Sequence, residues 1–395
     1  MVSCLAFYAI SSLLSSAFDK PTESFGGKHI IVAGDFAQLP PPGVGNMPLY
    51  SEHAQSSSSH QSVREQMNAL GQALWRQFTT VVILRQNMRQ RGMSVEDQRF
   101  RVALTNLRYK ACTADDRALL RSRIVTSRDH HALQLPLLTN VSIITAWNAH
   151  RDAINEIGSE TFSRYHGRKL VAFYSLDQWC SEKMSHSVRQ AQRDCTQSID
   201  PVRHNNVIAP DIQQIIWNLP PCLTDHHAGI LRLCRGMPVL LKTNEATELC
   251  ATNGAEAVVY DWYSVRSHTG VDVLETLFVK LVNPPKSVTL DGLPENVIPL
   301  NRTKVRIKCM LPMLDKPVYI DREQVMVLPN FAMTDFASQG RTRIVNICHL
   351  KYCRSAQSLY TCLSRSLSLT NTFILEGFDE AKTVGGLSSA LKREF

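Results

Sequence analysis

Residues 32–43 read VAGDFAQLPPPG. The apolar run HIIVAG ends just before Asp35, Gln38 follows, and three prolines come after Leu39. A carboxylate at the end of a buried strand can hold a metal or a water. A glutamine beside it offers both a carbonyl and an amide, so it can sense a phosphate and pass its movement on. The prolines keep the next segment extended and stiff. The same residues also suit a plain strand, a tight turn and a capping Asp. Three further stretches carry groups of similar promise. LRQNMRQ (84–90) places Arg89 after an apolar run, and QSLYTCLSRS (357–366) places Arg365 after a short helix. MTDFASQGRT (333–342) gathers Thr334, Ser338, Gln339 and Gly340. Arginine's planar, permanently charged fork suits a bidentate grip on phosphate. For Arg89, flanked by Arg85 and Arg91, a solvated charge is the alternative.

Other candidates are weaker. Asp129 with His130–His131 and Asp225 with His226–His227 lack a further ligand at metal-site spacing, and adjacent histidines point apart on most backbones. Both clusters read as surface residues, and no metal site is expected. Trp147 could stack on a base or an adenine ring, but a buried core position suits it better. The 11 cysteines include no C-x-x-C pair, so they read as reduced, buried thiols of an intracellular protein. A formal net charge of +8 over 395 residues is mild; it permits a polyanionic partner without demanding one. No apolar stretch reaches the ~18–20 residues that span a bilayer, and a soluble protein is expected.

The elements that would position these residues follow from periodicity. Residues 1–18, 67–78, about 94–123 and 148–160 have helical spacing. HIIVAG (29–34), TTVVIL (79–84) and VSIITAW (141–147) read as buried strands, as do IVNICHL and NTFILEGF near the end of the chain. Residues 51–62 read as a polar loop, and 161–210 as a long surface insertion. GMPVLLKTN and EAVVYDW are strands joined through Asn253–Gly254, a tight-turn pair. Strands alternating with helices at both ends imply an α/β fold with a parallel sheet, and the β-rich block between reads as a small barrel set into it.

Taken in order, G-D-x-x-Q-L-P-P, L-x-x-N-x-R-Q, T-x-x-x-S-Q-G-x-T and Y-x-x-L-S-R resemble motifs three to six of superfamily-one DNA helicases. The nearest pattern is the PIF type (petite integration frequency), including the helicase portion of Helitron transposons. GMPVLLKTNEATELCATNGAEAVV is similar to that family's V-M-x-x-x-N…N-G-x-x-G-x-V segment. The resemblance implies a RecA-like P-loop NTPase architecture. Residues 1–84 would be the remnant of a truncated first RecA-like domain, 85–254 with 329–395 the second, and 255–328 an SH3-like β insertion. It also implies ATP and Mg²⁺ as cofactors, single-stranded DNA as partner, five-prime to three-prime unwinding, a nuclear location, and roles in DNA repair, recombination or transposition. Asp35, Gln38, Arg89, Gly340 and Arg365 would bind nucleotide. Gln38 would contact the γ-phosphate, and Arg89 and Arg365 would be arginine fingers, each worth ~10³–10⁵ in rate in other nucleotide hydrolases. Thr334, Ser338 and Gln339 would line the DNA backbone. Phe336 and Ala337 stand where the commoner pattern has His and Lys, which removes a charge from that track.

The motor's P-loop, G-x-x-x-x-G-K-[ST], does not occur in the sequence. Its only Gly-Lys pair is Gly27–Lys28, followed by His29. The family's magnesium-binding D-E precedes S-M-V-S, and this sequence opens Met1-Val2-Ser3, as though cut at that methionine; Asp379–Glu380 reads as a solvated loop. The expectation is the carboxyl-terminal portion of an ATP-dependent helicase, inactive alone. The alternatives are a decayed relative that binds single-stranded DNA without ATPase activity, and an unrelated α/β hydrolase with Asp35 as metal ligand.

Overall fold

The computed structural model describes residues 2–43, 45–51, 62–125, 141–180, 186–200 and 206–395. Most of the serine-rich loop and the Asp129–His131 cluster lie outside the described residues. In chain order the helices of eight or more residues are α1 (Cys4–Ala17), α2 (Val63–Trp75), α3 (Val95–Arg108), α4 (Ala114–Arg121), α5 (Asn148–Tyr165), α6 (His186–Ile199), α7 (Pro210–Asn218) and α8 (Ala356–Leu363). Strands β1 (Ile124–Val125), β2 (Ile143–Thr145), β3 (Val171–Tyr174), β4 (Leu176–Trp179), β5 (Ile230–Leu233), β6 (Pro238–Leu241), β7 (Glu256–Arg266) and β8 (Asp272–Leu281) come first. They are followed by β9 (Val297–Asn301), β10 (Thr303–Cys309), β11 (Val318–Gln324), β12 (Val327–Pro329), β13 (Ala332–Thr334), β14 (Asn346–His349) and β15 (Thr372–Leu375). The chain packs as two units: Met1–Ala146 with Ser338–Phe395, and Trp147–Ala337. These packing borders fall elsewhere than the expected RecA-like borders at 84, 254 and 329.

In the first unit, β1, β15, β14 and β2 lie side by side and run parallel, with Cys348 opposite both Ile144 and Ile374. All three of those residues are fully buried, as strands covered on both faces require. Helix α8 is the crossover between β14 and β15, the connection a parallel pair needs. Helices α1 and α2 form a second layer. They approach closely at Gly71, where an added Cβ would sit 1.9 Å from the Cys4 carbonyl oxygen. Phe7, Phe25, Trp75 and Phe78 pack between them. The serines of α1 are part of this layer: Ser11 Oγ accepts the N–H of Phe25, and Ser15 Oγ accepts that of Gly26 and donates to the Glu23 carbonyl. They fix a turn in which Phe25 has φ 56° and Gly26 φ 62°.

Two expected strands are not strands. Residues 28–34 and 78–87 carry no strand assignment. Ile31 is 96% exposed, and Val81, Val82 and Leu84 are 78%, 81% and 91% exposed. Their composition is right for a sheet, but a strand exists only where its N–H and C=O groups meet a ladder partner. Neither segment has one among the described residues.

The second unit is β-rich. Strands β12, β6, β7, β8 and β9 form one antiparallel sheet, and β10, β11 and β4 another. Leu233, Met237, Leu274, Leu277 and Val279 are wholly buried in its core. The expected surface insertion at 161–210 instead contributes β3, β4 and α6, and its polarity is partly internal. Asp177 and Arg322 are both fully buried and joined by two hydrogen bonds, 2.8 and 2.9 Å. Ser175 and Gln213 also donate to Asp177, and Arg322 donates to the His227 carbonyl. Every strong group of the pair is satisfied, so removing one partner would cost about 3–5 kcal/mol. Trp147, expected in the core, is 42% exposed at the N-cap of α5.

Candidate functional site

Asp35 heads a turn, as its spacing suggests: its Oδ1 accepts the N–H of Ala37, and the Gln38 N–H reaches the Asp35 carbonyl. The other carboxylate oxygen does more. It accepts the Gln38 side-chain amide at 3.1 Å and Arg108 Nη1 at 2.8 Å. Arg108, the last residue of α3, also donates to the Tyr360 hydroxyl at 3.4 Å. Burial alone would lower its pKa, but the Asp35 carboxylate and the Tyr360 hydroxyl outweigh that and hold it above the ordinary value. Nothing in the sequence singled Arg108 out. It ends a charged helix, where Arg and Lys are common, and no spacing links it to Asp35 or Tyr360.

Helix α8 holds this turn at a second point. Gln357 donates to the Phe36 carbonyl at 2.8 Å and to the Tyr50 hydroxyl at 3.3 Å. Gln357 and Tyr360 are three apart, hence on one helical face. The helix ends at Ser364, whose carbonyl accepts Arg89 Nη1 at 2.8 Å, while Arg89 Nε donates to the Thr342 hydroxyl. Gln90 anchors the same strip through the Ser366 carbonyl at 2.6 Å. Arg365 follows directly and is 2% exposed. Its Nε donates to the Thr361 carbonyl and its Nη2 to the Ser364 hydroxyl.

Arg89 and Arg365 thus converge from chain positions 276 apart, through Ser364 and its neighbours. Their hydrogen bonds all go to uncharged oxygens. Burial, and then the charge of Arg89, push the Arg365 guanidinium down to about 10. Burial likewise lowers Arg89. Two partly desolvated cations that disfavour each other, with no carboxylate paired to either among the described residues, make a pole where an anion would be stabilised.

The remaining candidates are placed as follows. Thr334, in the second unit, accepts the Ala337 N–H at 3.2 Å. In the first unit Ser338 is fully buried, Gln339 is half-buried, and Gly340 is exposed with φ 76°. Gly27–Lys28 is no phosphate loop. The N–H groups of Gly26 and Lys28 bond to local carbonyls, and Lys28 Nζ lies 4.0 Å over the Phe18 ring. Glu380 pairs with Arg117 and Arg121 on an open surface. His226 and His227 are half-buried rather than at the surface: burial, and then the Lys242 ammonium, push His227 down to about 4. Among the described residues, no group of three or more His, Cys, Asp or Glu is placed to hold a metal ion. No disulfide forms; Cys222 is exposed, and Cys195 and Cys250 are half-buried. No helix among the described residues is long and apolar enough to cross a membrane.

No protein-family model and no curated protein matches the sequence. Solved structures do match. A Pif1 helicase from Candida albicans aligns with a TM-score of 0.58 and 18% identity, covering 100% of this chain and 75% of that one. A structure describing DNA unwinding at forked duplex DNA by two coordinating Pif1 helicases gives a TM-score of 0.62 at 16% identity, covering 100% and 71%. A Bacteroides Pif1 helicase in complex with ADP-AlF3 and single-stranded DNA gives 0.59 at 16%, covering 100% and 72%. At these identities the likeness is one of fold: the chain has the mixed α/β architecture, with a parallel sheet, of those helicases.

Proposed function

We propose that this chain carries the phosphate-sensing and arginine-finger side of an ATP-dependent DNA helicase motor of the PIF type. The observation that supports this reading most is the uncompensated pair Arg89 and Arg365, set around Ser364 in the unit that also holds the Asp35–Gln38 turn. During hydrolysis a water attacks the γ-phosphorus, the bond to the β-phosphate oxygen breaks, and negative charge spreads over the transferring group. Arg89 and Arg365 would neutralise that charge, and Gln38 would orient the γ-phosphate end. Thr334, Ser338, Gln339 and Gly340 would follow a single-stranded DNA backbone. Five-prime to three-prime polarity, and service in repair, recombination or transposition, belong to the same reading.

ATP fits these residues only in part. They suit its terminal phosphate, while the sequence contains no loop to cradle the others and no acid pair for Mg²⁺. We therefore assign those parts to polypeptide beyond these 395 residues. The same polypeptide would supply partners for the bare segments 29–34 and 79–84. Residues 1–84 would then complete a first RecA-like domain, with 85–254 and 329–395 forming the second and 255–328 an SH3-like insertion. The lack of a P-loop also favours a second reading, a decayed, Helitron-like relative that binds single-stranded DNA without hydrolysing ATP.

The chain alone, assayed with Mg²⁺ and single-stranded DNA, is expected to show no ATP turnover. Clear turnover that vanishes in Arg365→Ala would overturn the assignment of the missing parts. Fluorescence anisotropy should show weak DNA binding that falls with salt, by a log–log slope of about −0.7 per phosphate contacted. Binding that ignores salt would contradict both readings.

A further inference from the structure

We propose that Arg108 is a positioning residue that couples the Gln38 turn to the helix carrying Arg365. The inference rests on the reading of Gln38 and Arg365 as phosphate-facing groups. The contacts form a continuous line: the Gln38 side-chain amide donates to Asp35, Asp35 accepts Arg108, and Arg108 donates to Tyr360. Tyr360 lies on α8, five residues before Arg365.

Each link is specific. Asp35 Oδ2 receives Gln38 and Arg108 together, so the position of the Gln38 amide depends on where that oxygen is held. Arg108 is the cation that holds it, and the pair is half-buried, with side-chain exposures of 30% and 18%. A half-buried charged hydrogen bond keeps most of its strength without the full desolvation cost of a buried one. Tyr360 also joins the relay to the finger's strip through the backbone, its carbonyl accepting the Ser364 N–H at 2.9 Å. The Arg108 guanidinium also lies 5.0 Å over the Phe395 ring and 6.0 Å from the Tyr360 ring centre, which limits its swing. Gln357 clamps the far side of the turn from the same helix. A phosphate that drew Gln38 away from Asp35 would free one carboxylate lone pair. It would tighten Asp35 on Arg108 and change the pull on α8. Lysine could keep the charge here but not the planar fork.

The test uses side-chain NMR on the chain itself, following the Gln38 amide and the arginine Nε–H signals. Tyr360→Phe, which removes only a hydroxyl, should shift the Gln38 amide signal. In an Arg108→Gln background the same substitution should leave Gln38 unmoved. Arg108→Lys should restore the response only in part. A Gln38 signal indifferent to Tyr360→Phe, or one that responds equally with and without Arg108, overturns the relay. Should Arg108→Gln fail to fold, the single Tyr360→Phe result decides. Addition of inorganic phosphate tests the underlying reading separately: Arg89 and Arg365 signals that do not move count against the phosphate pole, whatever the relay result.

Discussion

Strands β14 and β15 are short apolar runs, and so are HIIVAG and TTVVIL in the same unit. In β14 and β15 every residue meets a registered partner, and Cys348 and Ile374 are completely buried. In the other two, Ile31 and Leu84 are almost completely exposed and the backbone has no ladder among the described residues. Composition sets which surface wants burial; only a neighbouring strand decides whether it is buried. The difference separates strands with ladder partners from apolar segments that have none among the described residues. A run of exposed apolar side chains is also an aggregation hazard.

Hydrogen exchange should show the widest contrast. Amides of β14 and β15 should exchange only with global unfolding, while those of 29–34 and 79–84 should exchange close to unprotected rates, a gap of several orders of magnitude. Comparable protection in both would break the comparison. Substitution should follow the same line. Ile144→Ala, in the finished sheet, should cost about 2–5 kcal/mol in denaturant unfolding, whereas Val82→Ala should stay within about 0.5 kcal/mol. Between these lies Gly71→Ala, which forces α1 and α2 apart and should cost about 1–3 kcal/mol. A neutral result there would mean that the layer beside the bare segments is itself loosely packed. The smallest effect on stability, and the sharpest diagnostic, is expected from Ile31→Lys with Leu84→Lys. The pair should leave the denaturation midpoint unchanged and reduce binding of an apolar dye.

Several candidate residues were legible in the sequence because they sit in ordered motifs. Gln38, Arg89 and Arg365 came from motifs that resemble a helicase pattern, and the parallel sheet from alternating periods; the structure sets Arg89 and Arg365 around Ser364 and Gln38 against Asp35. What was not legible depends on partners far along the chain. Arg108 gains its meaning from Asp35 and Tyr360, 73 and 252 residues away. Ser11 and Ser15 look like interruptions of an apolar helix, yet they hold the turn beneath it. Asp177 looks like a surface acid and is wholly buried against Arg322. The strand reading of HIIVAG and TTVVIL failed for the converse reason: their pattern was right, but no ladder partner stands beside them among the described residues.

The central claim is that Arg365 faces a transferring phosphate, and it is tested most directly by kinetics. The measurement is DNA-stimulated ATP hydrolysis by this chain joined to a P-loop-bearing segment that restores turnover, with and without Arg365→Ala. The account predicts a rate loss of at least ~10³, with nucleotide affinity much less changed. Full activity in the Arg365→Ala protein would contradict it.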